Sequence, residues 1–226
     1  MAIRVEFDRK LDELRDEILM MGSRVEAELA LAMEALETLN TSKAKEVYEA
    51  DITVNAMRFD IEDRCFELIV RQQPAARDLR TIVAAMNLIV DLERMGDQAK
   101  GIAKIVPHLL RQPTIHRPPE LRQMGQMVGA MLHQAMLAYA NHNVDLARII
   151  ARQDDEVDAL YAKVFTQVMF EMASAGSPER VEVTYEVLRA GRELERFGDL
   201  ATNIAERIIY LVTGTMEEIN VNTDDS

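Results

Sequence analysis

The chain has 226 residues, with 26 Lys and Arg against 39 Asp and Glu, and a formal net charge of −13. This acidic balance disfavours general binding to nucleic acid or to an anionic membrane surface, because both need basic patches. A hydrophobic fraction of 48% is enough to fill a core, whereas 9 Gly and 6 Pro are too few for a β-rich fold. The single cysteine, Cys65, excludes an internal disulfide and a cysteine-based zinc site.

The beginning of the chain carries charges every few residues and contains no apolar signal core. The longest apolar stretch, 81–90, is too short to span a bilayer. We therefore expect a soluble cytoplasmic protein, which could reach a membrane only through partners.

Apolar residues recur at steps of three and four along most of the chain, which is typical of helix-on-helix packing. Prolines interrupt this pattern at Pro74, in the stretch 107–119 and at Pro178, and they predict helix ends there. The pattern predicts six helices, at about 3–39, 43–72, 76–110, 118–140, 144–173 and 178–216. The stretch 107–119 is the expected linker.

The two halves of the sequence repeat each other. At an offset of 103, Met21-Gly22 aligns with Met124-Gly125 and Asp51 aligns with Asp154. Beyond the central turns the offset becomes 102, because the second half has lost one residue there. We therefore predict an all-α fold of two tandem three-helix bundles, with repeats at 1–112 and 113–218 and a polar tail at 219–226.

Each half contains acidic side chains spaced four residues apart, so that both members of a pair lie on one helix face. The third and sixth helices carry the pairs Glu93/Asp97 and Glu195/Asp199, and the second and fifth carry Asp51/Asn55 and Asp154/Asp158. Such pairs are common in an acidic chain, and only their mirrored placement makes them informative.

The turns align these pairs across each helical hairpin. Positions 51 and 97 are equally far from Pro74, and positions 154 and 199 are equally far from the Gly176-Ser177 turn. In antiparallel helices such positions lie side by side, here roughly 30 Å from the turn at 1.5 Å per residue. Each half is thus expected to bring four oxygen-bearing side chains together, with Asp91 and Glu193 close by.

Clustered carboxylates repel each other, and either a bound cation or a neighbouring arginine could relieve the repulsion. Arg94 and Arg196 would supply salt bridges if the clusters were merely solvated acidic faces. An all-oxygen ligand set suits Mg²⁺, Mn²⁺, Ca²⁺ or ferric iron. The di-iron pattern Glu-x-x-His is missing, because Gly96 and Gly198 stand where the histidines would be, and close helix packing is their expected role.

Five segments together make the chain resemble the PhoU family, which regulates the bacterial high-affinity phosphate transporter. They are Arg71-Gln-Gln-Pro74 with Asp78-Leu-Arg80, Asp91-Leu-Glu-Arg-Met-Gly-Asp97, and Glu193-Leu-Glu-Arg-Phe-Gly-Asp199 with Asn203-Ile204. The resemblance implies two three-helix bundles related by a pseudo-two-fold axis. It also implies metal clusters on the acidic motifs, with Fe, Mn, Mg or Zn as the ion.

The same resemblance implies a cytoplasmic, non-enzymatic negative regulator of phosphate uptake and of the phosphate-starvation (Pho) response. The implied partners are PstB, the ATPase of the phosphate ABC transporter, and PhoR, a sensor histidine kinase. Dimerisation is common in the family, so a homodimer is expected.

Carried onto this chain, the metal-binding positions implied by the family are Asp51, Glu93, Asp97, Asp154, Asp158, Glu195 and Asp199. Asn55 departs from the pattern, because an acid there would complete the first-half motif. Its amide still offers an oxygen but lowers the negative charge of the site by one. We therefore expect the second-half site to bind metal more tightly.

Two other functions fit the residues. A carboxylate-bridged multinuclear metalloenzyme could activate water between two metal ions, although no serine–histidine set or glycine-rich phosphate loop is evident. A metal-free helical adaptor could instead present its acidic faces to basic partner surfaces.

Overall fold

The computed structural model describes residues 2–215, with side chains from residue 4 onward. Within that range lie the helices α1 (Ala2–Thr38), α2 (Thr41–Gln72), α3 (Ala76–Leu109), α4 (Pro119–Asn141), α5 (Val144–Ala173) and α6 (Pro178–Thr213). The same residues contain no strand, and the predicted all-α fold of six helices is confirmed. The predicted polar tail, 219–226, lies outside the described residues, as does residue 216 at the end of the sixth predicted helix.

Asparagine side chains cap the helices that follow the two short interhelical turns. Asn40 accepts hydrogen bonds from the backbone N–H groups of Ser42 and Lys43 at 2.9 and 3.1 Å. Asn143 accepts one from the backbone N–H of Leu146 at 3.0 Å. Each cap satisfies donors that the first turn of a helix leaves unpaired, so these polar turns fix where α2 and α5 begin.

One helix end and the start of the linker differ from the sequence prediction. Helix α6 stops at Thr213, because Gly214 adopts a φ of 80° and donates its N–H to the carbonyl of Tyr210. Glycine adopts this left-handed conformation at little cost, which is why it commonly follows the last residue of a helix. Pro107, predicted to begin the linker, lies inside α3, which continues to Leu109. A proline this near the C-terminus disturbs only the final turn.

The apolar stripes pack inward to form the core. On α1, Leu14, Ile18, Met21 and Val25 are at most 2% exposed, and burying each such side chain contributes roughly 1.5–3 kcal/mol. Helices α1, α2 and α3 pack on one another, and so do α4, α5 and α6. Among residues 2–215, no helix combines the length and apolar character needed to cross a membrane.

The two bundles meet through equivalent helices, since α1 packs on α4 and α3 packs on α6. Two glycines show the symmetry of this contact. A Cβ atom at Gly22 would collide with the Met136 side chain, and one at Gly125 would lie 2.6 Å from Met33 Cε. In the repeat with an offset of 103, Gly22 corresponds to Gly125 and Met33 corresponds to Met136. Each contact is therefore the counterpart of the other, as expected for a pseudo-two-fold axis between α1 and α4. Helices α2 and α5, as far as the chain is described, contact only their own bundles.

Candidate metal centres

The second-half cluster consists of Asp154 and Asp158 on α5 with Glu195 and Asp199 on α6. Asp154 is only 1% exposed, Glu195 is partly buried, and the other two reach the surface. Burial raises the pKa of Asp154 to about 7, and repulsion by Asp199 and Asp158 adds to the rise. The pKa values of the other three carboxyl groups are also raised, first by burial and then by neighbouring acids. The structure thus places all four predicted carboxyl groups near enough to repel one another.

The first-half cluster has the same layout on α2 and α3 but a different hydrogen-bond pattern. Asp51 is 3% exposed, Glu93 is partly buried, and Asp97 lies at the surface. Burial raises the pKa of Glu93, with a further contribution from Asp97. Asn55 Nδ2 donates to Asp51 Oδ2 at 3.0 Å, so this side chain contributes a donor to the buried carboxylate.

A lysine completes the first-half cluster. Lys100 Nζ donates to Asp51 Oδ2 at 2.7 Å and to Asp97 Oδ1 at 3.1 Å, which ties α3 to α2. The arginine expected to pair with a motif acid, Arg94, has its Nη1 3.9 Å from Asp91 Oδ1 instead. Sequence reasoning missed Lys100, although its spacing of three from Asp97 places both side chains on one helix face.

In the second half as well, the ion pair with the motif glutamate is made by an arginine other than Arg196, the one considered from the sequence. The cation that forms an ion pair with Glu195 is Arg192, whose Nη1 lies 2.9 Å from Glu195 Oε1. Arg196 acts on the second-half cluster as a nearby positive charge that lowers the pKa of Glu195 and Asp199 against the larger effect of burial.

A buried acid from α1 joins the first-half cluster and was not predicted. Glu28 is 1% exposed, and among the described residues neither of its carboxylate oxygens has a hydrogen-bond partner. Burial raises its pKa to about 8, and repulsion from Asp51 adds to the effect. The available signal was its position within the apolar stripe of α1, between Val25 and Leu29. A charged residue on a buried face usually has a specific partner or role.

Glycines let the buried acids lie close to the neighbouring helix. A Cβ atom at Gly198 would be 3.1 Å from Asp154 Oδ1, and one at Gly96 would be 3.3 Å from Glu28 Oε2. Both distances are tighter than ordinary van der Waals contact. The predicted role of these two glycines in close helix packing is therefore confirmed, and what they accommodate is a carboxylate in each half.

Asp91 and Glu193 lie between the two bundles, where α3 packs on α6. Burial raises the pKa of Asp91, while Arg207 of α6 opposes that rise. The carboxyl carbon of Glu193 would be 2.7 Å from a Cβ atom at Gly101 of α3. These acids, expected beside the clusters, therefore act mainly at the interface of the two halves.

The second-half cluster offers oxygen atoms that a cation could use. Glu195 Oε2 and Thr202 Oγ1 are both buried without a hydrogen-bond partner in the described part of the chain. An all-oxygen donor set of this kind fits a hard cation. No three Asp, Glu, His or Cys side chains within the described residues yet converge closely enough to hold a metal ion. An ion would therefore have to draw the surface carboxylates towards Asp154.

Comparison with known proteins matches both halves of the chain to one family. The family model described as the PhoU domain matches residues 18–106 and again residues 121–208. The chain is 35% identical over 215 residues to a protein of Clostridium acetobutylicum named "Phosphate-specific transport system accessory protein PhoU homolog". The match covers 95% of this chain and 97% of that relative.

Two crystal structures share the whole architecture. PhoU from Pseudomonas aeruginosa superposes with a TM-score of 0.87 at 35% sequence identity, covering 92% of this chain and all of the other. The phosphate transport system regulatory protein PhoU from Streptococcus pneumoniae gives a TM-score of 0.86 at 31% identity, covering 93% of this chain and 99% of the other. These matches span both bundles, so the fold and the arrangement of the halves are shared.

Proposed function

This chain belongs to the PhoU family, and from that membership we propose that it is a cytoplasmic, metal-binding negative regulator of phosphate uptake and of the Pho response. The observation that carries the regulatory role is the match of both repeats to a family whose members are named accessory or regulatory proteins of phosphate transport. Those names describe accessory proteins and not enzymes, which supports a role without catalysis.

We propose that the partners are PstB and PhoR, and that the protein also forms a homodimer. Contacts with other proteins need open surface, and the outer helices provide it. Exposed aromatic side chains on α2 and α5, between 45% and 72% accessible, are Phe59, Phe66, Phe165 and Phe170. Aromatic side chains are enriched in protein interfaces, and exposed apolar patches often mark interaction sites.

The metal part of the proposal rests on the second-half cluster. Asp154, Asp158, Glu195 and Asp199 are the residues that would hold the ion, which would supply positive charge to carboxylates that otherwise raise each other's pKa. Mn²⁺, Mg²⁺, iron and zinc remain the candidate ions. Binding would brace α5 against α6 from the surface side of the bundle.

A complementation experiment tests the regulatory role, and metal analysis of the purified protein tests the metal site. Deleting the gene should raise alkaline phosphatase in phosphate-rich medium, because repression of the Pho response is lost, and the wild-type gene should restore it. Purified wild-type protein should contain bound metal, whereas Asp199→Asn should retain at least about tenfold less, since a ligand is removed. A matched control is Asp63→Asn, which removes the same charge from an exposed position on α2.

The two readouts separate the two claims. Unchanged phosphatase in the deletion strain would contradict the regulatory role. Equal metal content in wild type, Asp199→Asn and Asp63→Asn would contradict the assignment of the second-half cluster as the metal site. Retention of PstB on immobilised wild-type protein, compared with a bare resin, tests the proposed transporter contact.

A further inference from the structure

Lys100 places a fixed positive charge inside the first-half cluster. Its Nζ lies 2.7 Å from Asp51 Oδ2 and 3.1 Å from Asp97 Oδ1. The Lys100 side chain is 23% exposed and the Asp51 side chain only 4%, so water screens this pair weakly. The ammonium group therefore occupies the space between α2 and α3 that faces the buried carboxylate.

The repeat places a threonine at the equivalent position in the second half. The offset of 102 that aligns Glu93 with Glu195 also aligns Lys100 with Thr202. Thr202 is 4% exposed, and its hydroxyl has no hydrogen-bond partner among the residues that the structure describes. A short neutral side chain leaves room and adds no charge at the point where Lys100 stands in the first half.

Arg192, the cation that pairs with Glu195, is not a substitute for Lys100. It pairs with Glu195 three residues along the same helix, and half of its side chain is exposed. Water therefore screens the arginine end of this pair, and the guanidinium can turn into solvent. Lys100 instead joins two helices through a carboxylate that is almost fully buried.

We infer that Lys100 is the resident cation of the first-half cluster, so that this chain binds metal only in its second-half cluster. The inference rests on the proposed metal-binding function and specifies where it operates. A metal ion and the lysine ammonium would compete for the same oxygens of Asp51 and Asp97, and the two cations would repel each other at that distance. The first half is thereby braced without metal.

Removing the ammonium should open the first half to metal. Asp51 Oδ2 and Asp97 Oδ1 would lose their lysine partner. Both oxygens of Glu28 and Asp51 Oδ1 are already buried without partners in the described chain. The first half would then present an oxygen-only donor set on three helices, of the type that hard divalent cations bind.

Calorimetric titration of the full chain with MnCl₂ tests this inference. We expect Asp199→Asn to abolish the binding seen in wild type. The substitution removes a ligand from the second-half cluster, and Lys100 already occupies the first-half cluster. Lys100→Thr, which copies the second-half residue, should about double the Mn²⁺ bound per chain. The double variant Lys100→Thr/Asp199→Asn should bind Mn²⁺ at the first-half cluster only, and therefore about half as much as Lys100→Thr. Lys100→Arg retains the charge and should match wild type.

If Lys100→Thr does not fold, Lys100→Met is the second test variant. It removes the charge but keeps a long apolar side chain. If Asp199→Asn keeps half of the bound Mn²⁺, the first-half cluster binds metal beside Lys100 and the inference is wrong, although the proposed function stands. The inference is also wrong if neither Lys100 variant gains Mn²⁺ while Asp199→Asn loses it. If wild type binds no Mn²⁺ in either half and the purified protein also contains no iron, zinc or magnesium, the metal part of the proposed function is wrong, and this inference with it.

Discussion

The two acidic clusters occupy equivalent places in the two bundles but balance their charge differently. In the first half, Asp51 accepts hydrogen bonds from Lys100 and from Asn55. In the second half, the equivalents of those two donors are Thr202 and Asp158. The repeats have therefore kept the backbone positions and the helix pairing, while side-chain changes have placed an ammonium and an amide donor beside the buried carboxylate of the first half only.

The buried acid with the most strongly raised pKa also lies on a different helix in each half. In the second half it is Asp154 of α5, with a pKa of about 7, and in the first half it is Glu28 of α1, with a pKa of about 8. The position of Glu28 corresponds to Met131 in the repeat. Each bundle thus contains one buried carboxyl group whose pKa is raised to neutral pH or slightly above, but in a different part of the site.

Truncating Phe197 is the strongest test of whether the halves behave as one unit. Phe197 is fully buried, and it lies in the same motif position as Met95 of the first half. Phe197→Ala should lower the free energy of unfolding by about 3–5 kcal/mol through lost burial and a cavity. Because one continuous core joins both bundles, urea unfolding followed by circular dichroism should show one transition, shifted as a whole.

Met95→Ala is the matched variant in the other bundle. It should shift the same single transition, by a loss of about 2–5 kcal/mol. Two separate transitions, with each variant moving only one of them, would show that the bundles unfold independently.

Glu28→Gln should stabilise the protein increasingly as the pH rises. The folded protein holds the Glu28 proton up to a pKa of about 8, whereas the ordinary pKa of a glutamate is 4.5. Between those values the folded state binds more protons than the unfolded state, so wild-type stability falls as pH rises through this window. Glutamine does not titrate, and the gain over wild type at pH 9 is on the order of a few kcal/mol, since one pKa unit corresponds to about 1.4 kcal/mol.

The measurement is urea unfolding of both proteins at pH 5 and at pH 9. The groups that act on Glu28 are Asp51, Lys100 and Asp97, and all remain in the variant. Glu46→Gln, at an exposed position of α2, is the control and should show no gain that grows with pH. A constant difference between Glu28→Gln and wild type from pH 5 to 9 would mean that Glu28 is ionised in the folded protein throughout.

The pairing of the helices could be predicted from sequence because it depends on local signals. Asn40 and Asn143 mark two of the turns, and the equal distances of residues 51 and 97 from Pro74 place these residues on facing helices. Periodicity fixes which face of each helix is buried. These rules hold without knowledge of any single side-chain conformation, and they place each set of predicted residues on the facing sides of two neighbouring helices.

The charge balance could not be predicted by the same rules. Glu28 reaches the first-half cluster from α1, and its contact depends on how that helix is rotated within the bundle. Lys100 depends on the reach and conformation of a flexible side chain that could equally have pointed to solvent. Comparing the repeats position by position does reveal both differences, since Met131 and Thr202 stand in their places.

Asn55→Asp should produce the smallest effect, because it changes one group at the edge of the buried cluster. It replaces the donor that lies 3.0 Å from Asp51 Oδ2 with a second carboxylate. The loss of this hydrogen bond should cost about 1 kcal/mol of unfolding free energy at pH 7. The new carboxyl pKa should be raised by Asp51, so protonation at lower pH should recover part of the loss.

Asp158→Asn is the reciprocal change in the other half and sharpens the comparison. It removes one of the charges that raise the pKa of Asp154, so it should leave metal-free stability equal to or slightly above that of wild type. Urea unfolding of both variants in EDTA, at pH 7 and at pH 5, measures the two effects. If Asn55→Asp is as stable as wild type at pH 7, Lys100 alone compensates the added charge, and the amide of Asn55 contributes nothing to the balance of the first half.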